Sequence, residues 1–165
     1  MSDDGIVTDS GRVLRARMMA GENPGSPSWF AIGSGDWGDP QDPPDETADT
    51  TVLANELARK QISRHAYLLL DDTNGTITYK GHKYVESELP TPIVAFFVEF
   101  AETEAQGFQI MEEAVFGGAI VTNTTPYALA ADVVAPGALV WVRNRAVYTK
   151  GPNDSLTCIS VFEEK

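Results

Sequence analysis

The chain has 165 residues, of which 42% are hydrophobic and 22% charged, so it is long and apolar enough to bury one core, which argues against disorder throughout. Twenty-four acidic residues against twelve basic ones give a formal charge of −12, which disfavours nucleic acid or an anionic membrane as the main partner. The single cysteine, Cys158, excludes an intramolecular disulfide and a cysteine-based zinc cluster. We expect one domain over residues 1–165.

No targeting or membrane segment is visible in the sequence. The first residues, MSDDGIVTDSG, are acidic and polar and lack the basic start and apolar centre of a secretory signal. No apolar run approaches the roughly 20 residues that a membrane helix needs. We therefore expect a soluble protein without a membrane anchor, made in a cytoplasm, and we expect residues 1–9 to be a flexible or extended lead-in.

The first predicted element is a short helix. Asp9 or Ser10 can cap it, apolar residues recur at helical spacing through GRVLRARMMA, and Gly21 ends it after about three turns. Its predicted apolar stripe contains Val13, Leu14 and Met18. Three arginines fall outside that stripe, namely Arg12, Arg15 and Arg17.

A strand and a long acidic loop follow. Residues 28–33 (SWFAIG) have the aromatic and β-branched content of a strand and run into a Gly-Ser-Gly turn. Residues 36–51 carry six acids, three prolines and no basic residue, so we predict an exposed loop there. The loop is longer than a simple connection requires, which indicates either a functional contact or a disordered tether.

The rest of the chain predicts a second short helix and then mainly strands. Leu53 and Leu57, at i, i+4 spacing, place the helix over residues 51–60. The strands are expected over residues 61–70, 76–85, 93–100, 108–118, 139–147 and 156–162. Asn74-Gly75 predicts a hairpin turn between the first two, and Gly81 a bulge. The fold class is therefore α+β, mainly an antiparallel, sandwich-like β-sheet with an N-terminal and a second short helix.

No group of residues has the spacing of a catalytic or metal site. His65 and His82 both lie in the predicted hairpin, but a metal would need a third ligand from Asp71 or Asp72, and surface histidines are commoner. Cys158 alternates with apolar residues, which favours a small buried side chain over a nucleophile. The adjacent acids Glu112 and Glu113 are typical of turns and strand edges. We predict no enzymatic activity, no cofactor and no metal.

Several short motifs occur in a recognisable order. A helix ends in Ala20-Gly21, a strand ends in Ile32-Gly33-Ser34-Gly35, Asn55-Glu56 precedes Arg59, Glu113 precedes Ala114-Val115-Phe116, and Thr149-Lys150 precedes the last strand. This order, over residues 10–163, resembles the phage tail-collar fibre family of fibre-attachment domains and small baseplate proteins. The acidic loop is longer and more acidic than that family leads one to expect.

The resemblance implies a structural component of a contractile phage tail or a related injection particle. It would lie in the virion at the baseplate, after synthesis in the host cytoplasm, and attach tail fibres or spikes. Because nothing follows the final strand, we expect the fibre or spike to be a separate chain. The fibres of this family are trimeric, which implies a homo-oligomer, with a trimer as the best guess.

The sequence favours one contact site for such an adaptor. Phe30 and Trp141 alternate within strands and are expected in the core, whereas Trp37 lies in the acidic loop and is a candidate anchor for a partner. The remaining contact candidates are charged residues of the loop and the first helix: Asp36, Asp39, Asp42, Asp45, Arg12, Arg15 and Arg17. The open alternative is a free-standing carbohydrate-binding β-sandwich that uses Trp37 and tyrosines.

Overall fold

The structure, a computed structural model, describes residues 5–163 and consists mainly of antiparallel strands. One α-helix, α1 (Asp9–Met19), and one turn of 3-10 helix at Ala130–Asp132 accompany them. The strands are β1 (Ile6–Val7), β2 (Trp29–Gly33), β3 (Glu56–Gln61), β4 (Arg64–Leu70), β5 (Ile77–Tyr79), β6 (His82–Ser87), β7 (Ile93–Phe100), β8 (Gln109–Gly117), β9 (Val121–Thr122), β10 (Tyr127–Leu129), β11 (Val133–Ala135), β12 (Ala138–Thr149) and β13 (Leu156–Glu163). The predicted fold class is confirmed.

Two large sheets form the body of the molecule. Sheet A has the strand order β1-β12-β8-β2-β3-β10 and sheet B the order β13-β7-β4-β6-β5, while β9 and β11 form a small separate ribbon. Strand β7 is nearly all apolar because it lies inside sheet B and contacts buried clusters on both of its faces.

The main core lies between the two sheets. Phe30 and Trp141 from sheet A and Phe100 from sheet B are almost fully buried there, which confirms the core positions predicted for the first two. The rings of Phe30 and Phe100 meet edge to face at 6.4 Å. Burial of each such side chain stabilises the fold by about 1.5–3 kcal/mol, so this apolar cluster as a whole holds sheet A on sheet B.

Helix α1 lies against β12 through very few side chains. Its N-cap is Thr8, rather than Asp9 or Ser10, because the Thr8 hydroxyl accepts the Gly11 amide at 3.1 Å and also donates to the Leu139 carbonyl. Only Gly11 and Leu14 are buried on this helix. The predicted apolar stripe is wrong in part, since Val13 is 59% exposed and Met18 44% exposed.

Two predicted elements differ from the structure. Residues 56–61 form a central strand of sheet A instead of part of a second helix, because β3 pairs with both β2 and β10 and buries Ala58 and Arg59 completely. Leu53 lies in the loop that precedes this strand and is buried in a second apolar cluster. Tertiary pairing here overrides the i, i+4 pattern, which spans a loop and a strand.

The predicted hairpin turn at Asn74-Gly75 is also wrong. Strand β4 pairs with β6, and the tight turn lies between β5 and β6 at Lys80 and Gly81, whose φ angles of 49° and 77° suit a two-residue hairpin. Gly81 is therefore a turn residue and no bulge. The Asp71 carboxylate accepts the amides of Asn74 and Thr73, and these bonds, the Asn74 amide above all, lower the pKa of Asp71.

Gly11 is where helix and sheet approach most closely, and its substitution tests that contact. A Cβ at this position would lie 2.4 Å from the Val140 carbonyl oxygen, so Gly11→Ala should force α1 away from β12. We expect a loss of about 1–3 kcal/mol in the free energy of unfolding, measured by urea denaturation. Gly38→Ala is the control, since nothing lies within 4 Å of its Cβ position; equal stability of both variants would contradict the tight contact.

Candidate functional site

Two adjacent carboxylates lie at the centre of sheet A, and one of them is bonded to both ends of the acidic loop. Both belong to β8, and both are buried, Glu112 being 5% and Glu113 0% exposed. The expectation that these acids mark a turn or a strand edge is therefore wrong. Because successive strand residues point to opposite faces, the two carboxylates serve different parts of the molecule.

Glu112 fastens both ends of the acidic loop. Its carboxylate accepts backbone amides from Ala54 at 2.9 Å, Asn55 at 3.3 Å and Gly35 at 3.1 Å. A Cβ at Gly33 would lie 2.6 Å from the same carboxylate, so glycine is needed there for the close approach. The Ile-Gly-x-Gly and Asn-Glu motifs are thus two sides of one hydrogen-bonded junction.

Replacing this carboxylate should loosen the loop ends selectively. In Glu112→Gln one oxygen becomes an amide nitrogen that cannot accept, so at least one of the three backbone donors loses its partner at a cost of about 1–3 kcal/mol. We expect faster hydrogen exchange at the amides of Gly35, Ala54 and Asn55, with β7 unchanged. Glu99→Gln, at an exposed position of β7, should alter none of the three, and unchanged protection in Glu112→Gln would refute the junction.

Glu113 points to the opposite face, toward sheet B. It pairs with Arg143, its cross-strand partner on β12, and with Arg145 at 2.6 Å. The Cys158 sulfur lies 4.0 Å from the same carboxylate. Removing one member of such a buried pair typically costs about 3–5 kcal/mol, so the Glu-before-Ala motif has a structural role in the sheet.

The remaining motif residues are also used inside the molecule. Arg59 is fully buried, donates to both oxygens of Glu56 at 2.7 and 2.6 Å and to the Pro136 carbonyl at 2.9 Å, and stacks 4.1 Å from the centre of the Phe116 ring. Lys150, equally buried, donates to the Glu102 carbonyl at 3.2 Å. The charged residues that identify the sequence pattern therefore stabilise the fold.

The acidic loop is fastened to the edge of sheet A along its length. The carbonyl of Pro40 accepts the Val147 amide at 2.8 Å, and the Glu46 carboxylate accepts the Asn144 amide at 2.7 Å. At its far end the Ala48 carbonyl accepts the Asp9 amide at 2.7 Å. The loop thereby connects β12 with the start of α1 and presents its outer side to solvent.

Trp37 is partly buried within this loop. Its ring packs over Gly35, where a Cβ would lie 2.6 Å from the indole. The indole also lines a cavity of about 250 Å³ together with Asp36 and Asp45. Its buried Nε1 has no hydrogen-bond partner among residues 5–163. The ring of Trp37, the predicted anchor, therefore packs against its own loop and is only partly accessible to a partner.

The other predicted contact residues lie on two neighbouring exposed surfaces. Asp39 and Asp42 are exposed on the acidic loop, where the Asp39 carboxylate accepts the Gln41 amide at 2.9 Å. On α1, Arg12 pairs with Asp9 at 2.8 Å and Arg17 with Glu22 at 2.7 Å.

Part of the α1 surface and part of the acidic loop line the same groove. Arg12 and Arg15 border one groove together with Ala48 of the acidic loop. The loop and the helix therefore form one contiguous surface of mixed charge.

The two histidines are not brought together. His65 packs between the rings of Tyr67 and Phe96, whereas His82 lies 3.2 Å from Asp72. In the described part of the chain, no three His, Cys, Asp or Glu side chains cluster in a way that could hold a metal ion. Residues 5–163 also contain no helix with the length and apolar character of a membrane span.

Cys158 is 4% exposed, which confirms the predicted buried side chain. Burial raises the pKa of its thiol well above the ordinary value, and the neighbouring Glu113 carboxylate raises it further. A raised pKa keeps the thiol protonated and unreactive at neutral pH.

The thiol should therefore resist modification in the folded protein. We expect an aromatic disulfide reagent at pH 8 to label native Cys158 at least tenfold more slowly than the urea-unfolded chain. The matched control moves the thiol to the exposed Ser155, as Cys158→Ser with Ser155→Cys, and should react at once. Rapid labelling of the native wild type would contradict the burial.

The fold is thus a β-sandwich in which the charged motif residues Glu56, Arg59, Glu113 and Lys150 bond within the molecule, while the acidic loop and a short arginine-bearing helix lie outside. Its sequence matches, over residues 5–162, the family model described as "Baseplate wedge 3 tail fiber network component". The chain belongs to this family, so it is a component of a phage baseplate, and the resemblance to phage tail proteins is confirmed. A search of curated proteins finds no match.

Proposed function

We propose that the protein is a non-enzymatic adaptor that links the baseplate to a separately encoded tail fibre or spike. The family description indicates a baseplate location and a tail-fibre network, and we infer the adaptor role from the surface of the molecule. It would act in the virion as a homo-oligomer, through contacts with other tail proteins and without nucleic acid.

The outer side of the acidic loop carries this proposal. The loop is held to strand β12 and helix α1 through the carbonyls of Pro40 and Ala48 and the carboxylate of Glu46, while Asp39, Asp42 and Asp45 stay exposed. A fixed row of carboxylates suits recognition of a basic surface, since little conformational entropy is lost on binding and opposite charges steer the encounter. The partner surface is accordingly expected to carry lysines or arginines.

The carbohydrate-binding alternative has less support. Sugar recognition by a β-sandwich relies on exposed aromatic faces, whereas Trp29 and Trp141 are buried and Trp37 is packed over Gly35. The exposed polar groups of the loop favour a protein partner instead.

Removing the charges of the loop without removing the loop tests the adaptor role. The triple variant Asp39→Asn, Asp42→Asn and Asp45→Asn keeps the side-chain oxygen that caps Gln41, so the fold should persist. We expect a severalfold loss of fibre occupancy on assembled particles, counted by electron microscopy and mass spectrometry. Deleting residues 38–49 is a poorer test, because it also removes acceptors of the Val147, Asn144 and Asp9 amides.

The control makes the same charge change at three exposed acids elsewhere, as Glu88→Gln, Glu99→Gln and Glu102→Gln. It should leave fibre occupancy unchanged. If the loop variant enters particles and carries fibres at the wild-type level, the acidic loop is not the fibre contact.

A further inference from the structure

Strand β13 is the longest outer strand of the two main sheets. The two main sheets have four outer strands, of which β1, β5 and β10 are two or three residues long, whereas β13 has eight. It pairs with β7 at all eight positions without a register shift, and no strand in residues 5–163 pairs with its other edge. The strand LTCISVFE contains no Pro, Gly or Lys, and its one charge is the terminal Glu163, which is paired with Lys80 at 2.6 Å, so up to that end its sequence lacks the residues that normally protect an edge.

The side chains of this strand are nearly symmetric in size about Ile159. Outward from Ile159 they are the isosteric pair Cys158 and Ser160, the isosteric pair Thr157 and Val161, and the large apolar pair Leu156 and Phe162. An antiparallel copy centred on Ile159 would place the members of each pair opposite one another. Matched β-branched and apolar side chains are the favourable cross-strand neighbours.

This register also keeps each face of the sheet continuous. Cys158 and Phe162 belong to the core between the sheets, whereas Ile159 and Val161 face the other side of sheet B. A two-fold axis perpendicular to the sheet at Ile159 joins like face to like face. One buried polar group gains a partner as well, since the Ser160 hydroxyl has none among the described residues and would lie beside Cys158 of the second copy.

We propose that two copies of the chain pair antiparallel through their β13 strands, with Ile159 on the two-fold axis, so that both copies of sheet B form one continuous sheet. The result is a dimer instead of the trimer that the family resemblance implies. The pairing neither requires nor excludes the fibre contact through the acidic loop, because it uses a different part of the molecule.

The charge of the chain predicts how this dimer responds to salt. Each copy carries a formal charge of −12, while the strand itself is neutral up to Glu163, whose opposite neighbour would be Ser155 of the second copy. Added salt screens the repulsion between copies and should strengthen the pairing. Binding that depended on attraction between opposite charges would instead weaken as the salt concentration rises.

The oligomeric state of the full chain tests the proposal. By analytical ultracentrifugation we expect twice the chain mass of 17.9 kDa, with a dissociation constant that decreases when the salt concentration is raised from low to moderate.

A charged residue on the edge strand tests the interface itself. Thr157→Lys, at an exposed position, places one lysine of each copy in the interface and should raise the dissociation constant of the dimer by roughly tenfold or more. Thr78→Lys makes the same change at an exposed position of the short edge strand β5 and should have no effect. A monomer at all salt concentrations, a trimer, or equal behaviour of the two variants overturns the proposal.

Disulfide trapping tests the register separately. In a Cys158→Ser background, Ile159→Cys should cross-link two chains rapidly under mild oxidation, because residue 159 faces itself across the axis. Thr157→Cys alone should not cross-link, but a mixture with Val161→Cys should. Rapid cross-linking of Thr157→Cys alone, or none in Ile159→Cys, overturns the register even when the protein is dimeric.

Discussion

The whole arrangement depends on two neighbouring carboxylates buried in one central strand. The alternation of β8 sends Glu112 to one face of sheet A and Glu113 to the other. Glu112 gathers the amides at both ends of the acidic loop, and Glu113 is paired with two arginines of β12. A buried charge is tolerated only with such partners, so the position of the loop and the register of β8 on β12 are tied to the same dipeptide.

This use of charge explains how a highly acidic chain can serve as a structural part. The buried Arg59 is paired with the partly buried Glu56, and the buried Glu113 with two arginines, while many of the remaining acids lie on the outside. A sandwich with an acidic loop that is hydrogen-bonded to it suits a component whose contacts are with other proteins. The family model for a tail-fibre network component agrees with that organisation.

The predictions that held and those that failed divide by the range of the interactions involved. The burial of Phe30, Trp141 and Cys158 followed from period-two alternation, which is a local property of the chain. The prediction of a helix over residues 51–60 was wrong because residues 56–61 form strand β3, which pairs with β2 and β10. No local pattern indicated that Glu112 would accept three amides from residues more than fifty positions away.

By itself the sequence determined that this is a mainly antiparallel β protein with an N-terminal short helix, an acidic loop and an order of short motifs that resembles phage tail proteins. These features rest on local periodicity, turn residues and the succession of motifs, all of which are encoded in neighbouring residues. Only the tertiary structure decided that the motif charges are buried, that Trp37 turns inward and that β13 has an open edge. Such properties depend on which distant strands pair, because pairing determines where each carboxylate, ring and backbone amide finds its partner.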